Sequence, residues 1–124
     1  MLSRFTAAAI LALFATGCGS STSNSTAPTP TMPSQSGSSV TIVSGAQSLT
    51  TTAFSPNPLT ISVGTTVRWM NQDNTAHTAT SNNGAFDTGT IAVGGQASKQ
   101  FTTAGSFPYH CTIHPGMVAT ITVQ

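Results

Sequence analysis

Short segments of β-type composition, each followed by turn residues, fill residues 40–124 and constrain the fold more than any other feature. In "TTVRWMN", residues 65–71, apolar and polar residues alternate with the period of two that a strand with one buried face requires. The segments cover residues 40–43, 59–63, 65–71, 77–81, 86–95, 98–103, 106–111 and 117–123. The pattern predicts an all-β fold, a Greek-key β-sandwich of two sheets with seven to eight strands, in which Trp69 is a core residue.

The residues before this region have the composition of export and tethering segments. Residues 1–17 carry an early cation, Arg4, and then an apolar run, which predicts a secretory signal peptide. The sequence "FATGC" resembles a bacterial lipobox, which predicts a lipid on Cys18; ordinary signal cleavage nearby is the alternative. Residues 18–39 are rich in Ser, Thr and Pro and predict a disordered tether to a domain at 40–124. We therefore expect an exported protein in the periplasm or at the cell surface, in contact with a membrane only through Cys18.

Charge and cysteine content exclude several classes of protein. After Cys18 the chain carries two cations, Arg68 and Lys99, and two carboxylates, Asp73 and Asp87. This balance offers no field to gather nucleic acid, and the two carboxylates have no partner for hydrolytic chemistry. Once Cys18 is set aside, a single thiol remains in the chain, so a disulfide framework is excluded.

That remaining thiol lies in a sequence that suits a metal ion. Cys111, His114 and Met117 fall within seven residues between two strand-like segments, a spacing that lets one loop curl round one ion. Thiolate, imidazole and thioether together favour copper, because zinc sites rarely recruit a thioether. A further nitrogen ligand can come from His77 or His110. Alternation in the extended segment directs His110 away from the face of Cys111, so we predict His77 as the ligand and His110 as a surface or supporting residue.

With these residues in place, residues 40–124 resemble the small blue (type 1) copper proteins of the cupredoxin family, in the plastocyanin, pseudoazurin and amicyanin group. The resemblance rests on "FSPNPLTISVGTTVRWMN", which leads to His77, and on "AGSFPYHCTIHPGM" near the C-terminus. The short Cys-x-x-His-x-x-Met loop is most similar to that of amicyanin. The resemblance implies one type 1 copper ion per chain, with His77, Cys111 and His114 as equatorial ligands and Met117 as the weak axial ligand.

The same resemblance implies a function and a way of meeting partners. It implies a monomeric one-electron carrier, not an enzyme, that cycles between Cu(II) and Cu(I). Redox-protein donor and acceptor would dock near His114, where Ile113, Pro115 and Gly116 would rim a small apolar patch. A copper-sequestering or delivery protein with the same ligands is the alternative. A copper oxidase or nitrite reductase would need a second copper site, for which three histidines are too few, and a sandwich without metal would leave Cys111 unexplained.

Two positions depart from the family pattern. Members usually carry Pro before the first His ligand and often Asn after it, whereas this chain has Ala76 and Thr78. That Asn commonly ties the two ligand loops together. Two alternatives follow: the Thr78 hydroxyl substitutes for it, with Thr112, next to the thiolate, supplying part of the link, or the residues that support the ligands differ from those of the family.

Overall fold

The computed structural model describes residues 37–124, so the predicted signal peptide, Cys18 and most of the predicted tether lie outside the described residues. The described region contains one short 3-10 helix, Ala46–Ser48, and otherwise strands and turns. The strands are β1 (Gly37–Ile42), β2 (Phe54–Ser55), β3 (Leu59–Ile61), β4 (Thr66–Asn71), β5 (Thr80–Ser81), β6 (Gln96–Gln100), β7 (Gly105–His110) and β8 (Val118–Val123). None of these elements is a helix with the length and apolar character needed to cross a membrane.

The strands form two four-stranded sheets. One has the order β2-β1-β4-β6 and the other β3-β8-β7-β5. Both are mixed, because β1 runs parallel to β4 and β3 parallel to β8, while the other neighbours pair antiparallel. The all-β prediction with two sheets and seven to eight strands is confirmed.

The first strand begins earlier than the sequence predicts. Residues Gly37–Ser39 belong to β1, although their composition assigned them to the tether that ends at 39. They pair in parallel register with Thr66–Arg68 of β4. Main-chain pairing needs no apolar side chains, so a Ser-rich sequence next to a strand can extend it.

The predicted strands at 77–81 and 86–95 are mostly irregular, so this part of the prediction is wrong. Only Thr80–Ser81 forms a strand, and two isolated bridges, His77 with Ile91 and Thr80 with Asp87, hold the rest of the two segments together. Gly84, Gly89 and Gly94 have positive φ angles of 77°, 65° and 71°, which turn the chain repeatedly and prevent a continuous ladder.

An aromatic cluster fills the space between the sheets. Trp69 is fully buried, its ring stacks on Phe86 at a centroid distance of 5.6 Å, and it meets the edge of Tyr109 at 5.9 Å. On β4 the neighbours of Trp69, Arg68 and Met70, are exposed, as the alternation predicts. Since Tyr109 lies two residues before Cys111 on the same face, the core reaches directly up to the thiol.

Candidate metal centre

His77 is held in the loop that follows β4. Asn71 ends that strand, and its side-chain Nδ2 donates hydrogen bonds to the carbonyl oxygens of Thr75 at 2.8 Å and Ile91 at 3.0 Å. His77 then pairs with Ile91 through two main-chain hydrogen bonds of 3.1 and 2.7 Å. These contacts fix the main chain on both sides of His77, whose side chain is completely buried.

The second ligand segment is a tight loop between β7 and β8. Cys111 N–H donates to the Met117 carbonyl at 3.1 Å, and Met117 N–H donates to the His114 carbonyl at 2.9 Å. Cys111 and Met117 are fully buried, whereas His114 is half-buried. The structure therefore brings the three residues of the Cys-x-x-His-x-x-Met sequence to one closed turn of chain.

The two segments place three donor atoms around one point. The Nδ1 atoms of His77 and His114 are 3.2 Å apart, and the Cys111 sulfur lies 3.6 Å from the first and 3.9 Å from the second. Metal–nitrogen and metal–sulfur bonds of about 2.0 and 2.3 Å put neighbouring donors about 3–4 Å apart. These separations fit one ion shared by His77, Cys111 and His114, the group that the structure identifies as able to hold a metal.

The donor set fits copper better than zinc. One thiolate and two imidazoles suit either metal. Met117 adds a thioether to the same loop; it is fully buried, and its main chain forms hydrogen bonds with the main chain of both Cys111 and His114. Thioether and thiolate sulfur stabilise Cu(I), while imidazole accepts both oxidation states of copper. The residues present therefore fit a copper ion.

His110 lies outside the cluster, as the alternation predicts. It pairs with Thr80 at the end of β7, and its Nδ1 is 2.6 Å from the side-chain oxygen of Asn82. Cys111, one residue later, is buried on the opposite side. His110 thus belongs to the surface of the β5–β7 edge.

Thr78 connects the two ligand segments, which is the first of the two alternatives that the sequence leaves open. Its Oγ1 accepts the Thr112 N–H at 2.9 Å and lies 3.1 Å from the Thr112 hydroxyl. The Thr78 N–H also points to the Cys111 sulfur at 3.3 Å. A donor on sulfur stabilises the thiolate, so the residue after His77 both ties the loops and supports the ligand form of Cys111.

Asp73 is a residue of the site that the sequence analysis missed. Its Oδ2 lies 2.8 Å from His77 Nε2, and both side chains are buried, at 1% and 0% exposure. Burial raises the pKa of Asp73, but hydrogen bonds from His77 and from the main chain of Gly45, Asn74 and Gln47 outweigh it and lower the pKa to about 2. The only signal in the sequence is an Asp four residues before the His, which is weak because most such residues are solvated.

The rim of the site is apolar. His114 is half-buried, and the next loop residues on either side, Ile113 and Pro115, are exposed, with 48% of Ile113 accessible. Gly116 is exposed as well. The predicted apolar patch therefore surrounds the only one of the three donor residues that is not completely buried.

The chain is similar in sequence to a known family. A model of the copper binding proteins of the plastocyanin/azurin family matches residues 40–124, which include every residue of the cluster. No curated protein sequence shows a significant match to the chain.

Solved structures give the same fold. A purple cupredoxin from Nitrosopumilus maritimus shares 32% sequence identity with a TM-score of 0.65, over 70% of this chain and 99% of that one. An amicyanin variant in its Cu(I) form shares 25% identity with a TM-score of 0.60, over 71% of this chain and 82% of that one. The copper-containing nitrite reductase NirK from Thermus scotoductus SA-01 shares 29% identity with a TM-score of 0.59, over 70% of this chain but 22% of that one.

Proposed function

The chain belongs to the plastocyanin/azurin family of copper-binding proteins, and from this premise we propose that it is an exported one-electron carrier with a type 1 copper site. The observation that carries the proposal is the convergence of His77 Nδ1, His114 Nδ1 and the Cys111 sulfur within 4.8 Å of one another. The fully buried Met117 closes the same loop. We assign His77, Cys111 and His114 as the equatorial ligands and Met117 as the axial one.

The scaffold favours electron transfer over chemical conversion. Bound copper supplies a one-electron change between Cu(II) and Cu(I). The main-chain pairing of His77 with Ile91 and the closed loop from Cys111 to Met117 keep the donor atoms in one arrangement. A site that rearranges little between the two oxidation states presents a small barrier to each transfer, which suits a carrier.

His114 is the proposed point of contact with redox partners. It is half-buried, while His77 and Cys111 are completely buried, so its ring offers the shortest route from the donor cluster to solvent. The exposed Ile113 and Pro115 beside it provide an apolar surface that can be desolvated on docking. With two cations and two carboxylates after Cys18, the chain has little charge to steer association, so the apolar patch carries recognition.

The metal site favours the function of an electron carrier over that of an enzyme. Among residues 37–124, one group of three or more His, Cys, Asp or Glu side chains can hold a metal ion, and it is the cluster at His77, Cys111 and His114. The nitrite reductase that the chain resembles is a much longer protein, of which the chain covers 22%. The proposed role is therefore electron delivery to or from other proteins, by a monomer.

Location is proposed from the first residues of the chain. The apolar run within residues 1–17 supports export, and "FATGC" supports a lipid on Cys18. A lipid-anchored carrier at the cell surface or in the periplasm would be tethered by residues 19–36. Treatment of cells with a labelled fatty acid should label the protein, and Cys18→Ser should abolish the label.

The function is tested by absorption titration of the purified protein with Cu(II). We expect an intense thiolate-to-copper band that saturates at one equivalent, disappears in Cys111→Ser and weakens or shifts in His77→Gln. His110→Gln is the matched control, because it removes the one histidine outside the cluster and should leave the band intact. Absence of the band in the unchanged protein would refute the proposal.

Redox cycling separates a carrier from a sequestering protein. The copper-loaded protein is reduced with ascorbate and reoxidised with ferricyanide several times, in the presence of a Cu(I) chelator. A carrier bleaches and recovers with its copper retained. Loss of copper to the chelator in each cycle would favour the sequestration or delivery role.

A further inference from the structure

A buried carboxylate contacts the ring nitrogen of His77 that lies opposite its donor atom. Asp73 Oδ2 is 2.8 Å from Nε2, and His77 Nδ1 faces the Cys111 sulfur and the His114 ring. We propose that Asp73 is a positioning residue that fixes the tautomer of His77 for copper and lowers the reduction potential of the site. The inference rests on the proposed function, since it takes His77 as a ligand of a redox-active copper ion.

The contact determines which nitrogen of His77 carries the proton. A carboxylate can only accept hydrogen bonds, so Nε2 must be the donor in the Asp73–His77 pair. A neutral imidazole has one N–H, and Nδ1 is therefore left with a free lone pair. That lone pair is on the atom 3.2 Å from His114 Nδ1, inside the donor cluster. Asp73 thus prepares His77 as a ligand before any metal arrives.

The carboxylate is itself held in place by the main chain. Its Oδ1 accepts the N–H groups of Gly45 at 2.9 Å and Asn74 at 2.8 Å, and the Asp73 N–H donates to the side chain of Asn71 at 2.9 Å. Both oxygens are occupied and the side chain is 1% exposed. The group cannot rotate away from His77 without breaking these hydrogen bonds and leaving the buried Nε2–H of His77 unsatisfied, which is costly.

Its charge is not balanced by a cation of the described chain. Among residues 37–124 the one ion-pair contact of Asp73 is His77, which is neutral when it serves as a ligand. Charges interact strongly in a buried environment. A fixed negative charge beside the cluster stabilises Cu(II) more than Cu(I), because Cu(II) carries the larger positive charge. The expected result is a lower reduction potential than the same ligands would have without Asp73.

Asp73→Asn tests both parts of the proposal, with Asp87→Asn as the matched control. Asp73 and Asp87 are the only two acidic residues of the chain, so both variants lose the same formal charge, but Asp87 is exposed. In Asp73→Asn the single amide oxygen accepts the N–H groups of Gly45 and Asn74, so the amide NH2 group faces His77 Nε2. His77 must then accept at Nε2 and carry its proton on Nδ1.

The tautomer is read in the copper-free, reduced protein by long-range ¹H–¹⁵N NMR correlations of the His77 ring. We expect Nε2–H in the unchanged protein and in Asp87→Asn, and Nδ1–H in Asp73→Asn. Nδ1–H in the unchanged protein would overturn the tautomer assignment. This measurement on the unchanged protein stands even if Asp73→Asn does not fold.

The potential is read by redox titration of the copper-loaded proteins. For Asp73→Asn we expect the ratio of Cu(II) to Cu(I) affinity to fall by about tenfold, the lower end of the usual cost of losing such an outer partner. That change is a rise of about 59 mV for a one-electron couple. A shift no larger than that of Asp87→Asn would overturn the role in tuning while leaving the carrier function intact. Failure of the unchanged protein to form the thiolate-to-copper band would instead overturn the proposed function, and the tuning role with it.

Discussion

Thr78→Val should weaken the connection between the two ligand loops with little change in side-chain shape. Thr78 Oγ1 accepts the Thr112 N–H at 2.9 Å and contacts the Thr112 hydroxyl at 3.1 Å, and Thr78 is 5% exposed. Each such hydrogen bond contributes about 0.5–1.5 kcal/mol net. Valine also removes the contact of 3.1 Å between Thr78 Oγ1 and the Thr80 hydroxyl. Because Thr112 is exposed and Thr80 is half-buried, water can replace much of what is lost, and the total predicted destabilisation is about 1–2 kcal/mol.

Thermal unfolding of the copper-free, reduced protein measures this effect without a contribution from metal binding. For a domain of this size, 1 kcal/mol shifts the midpoint by about 4–8 °C, so Thr78→Val should unfold about 4–16 °C below the unchanged protein. Thr60→Val is the matched control, because Thr60 is exposed on β3 and the same change there should stay within about 0.5 kcal/mol.

A second substitution separates the hydrogen bonds from other effects of the change. Thr78→Asn restores an acceptor for the Thr112 N–H and introduces the residue that related proteins often carry there. It should lie closer to the unchanged protein than Thr78→Val does. Equal midpoints for Thr78→Val and Thr60→Val would refute the reasoning, since the link would then contribute nothing to the folded state.

Three further predictions follow from the core, the metal and the rim. Trp69→Ala should cost about 3–5 kcal/mol in urea unfolding, because Trp69 is fully buried between Phe86 and Tyr109; a loss below 1 kcal/mol would show that its neighbours do not depend on it. Copper at about 100 times its dissociation constant should stabilise the protein by about 2.7 kcal/mol, read as a higher midpoint in calorimetry, and an unchanged midpoint would contradict binding to the folded state. Ile113→Lys should slow electron self-exchange between two copies about tenfold, measured by NMR line broadening, while the reduction potential stays constant; an unchanged rate would exclude this patch from docking.

The ligand cluster was predictable because its signals are local. Cys111, His114 and Met117 lie within seven residues; strand alternation excludes His110, and the position of His77 directly after a polar turn favours His77. The structure places His110 against Asn82, brings His77, Cys111 and His114 together, and closes the loop of the last two at Met117. Alternation survives folding because it is a property of an extended strand such as β7, and the close spacing of Cys111, His114 and Met117 keeps them on one loop whatever its conformation.

The irregular segment and the acidic partner were not predictable by the same means. The sequence of residues 86–95 predicts a strand, yet positive φ angles at Gly89 and Gly94 divide the segment. Glycine adopts positive and negative φ angles about equally readily, so the sequence alone does not determine its φ. The polar sequence around Asp73 predicts a solvated turn residue. In the structure its carboxylate accepts a hydrogen bond from Gly45, which lies 28 residues earlier in the chain, directly before the 3-10 helix. A contact over that separation has no periodic signal.

Two sets of contacts hold His77 directly before any metal binds, and a third holds the residue that follows it. Ile91 fixes its main chain, Asp73 contacts its ring, and the next residue in the chain donates to the Cys111 sulfur. We therefore expect crystal structures of the copper-free and copper-loaded protein to show the same His77 ring orientation, with any difference confined to the half-buried His114. A His77 ring that rotates on loading would mean that the metal, not the hydrogen-bonded scaffold, organises the site, and the expected low barrier to electron transfer would lose its structural basis.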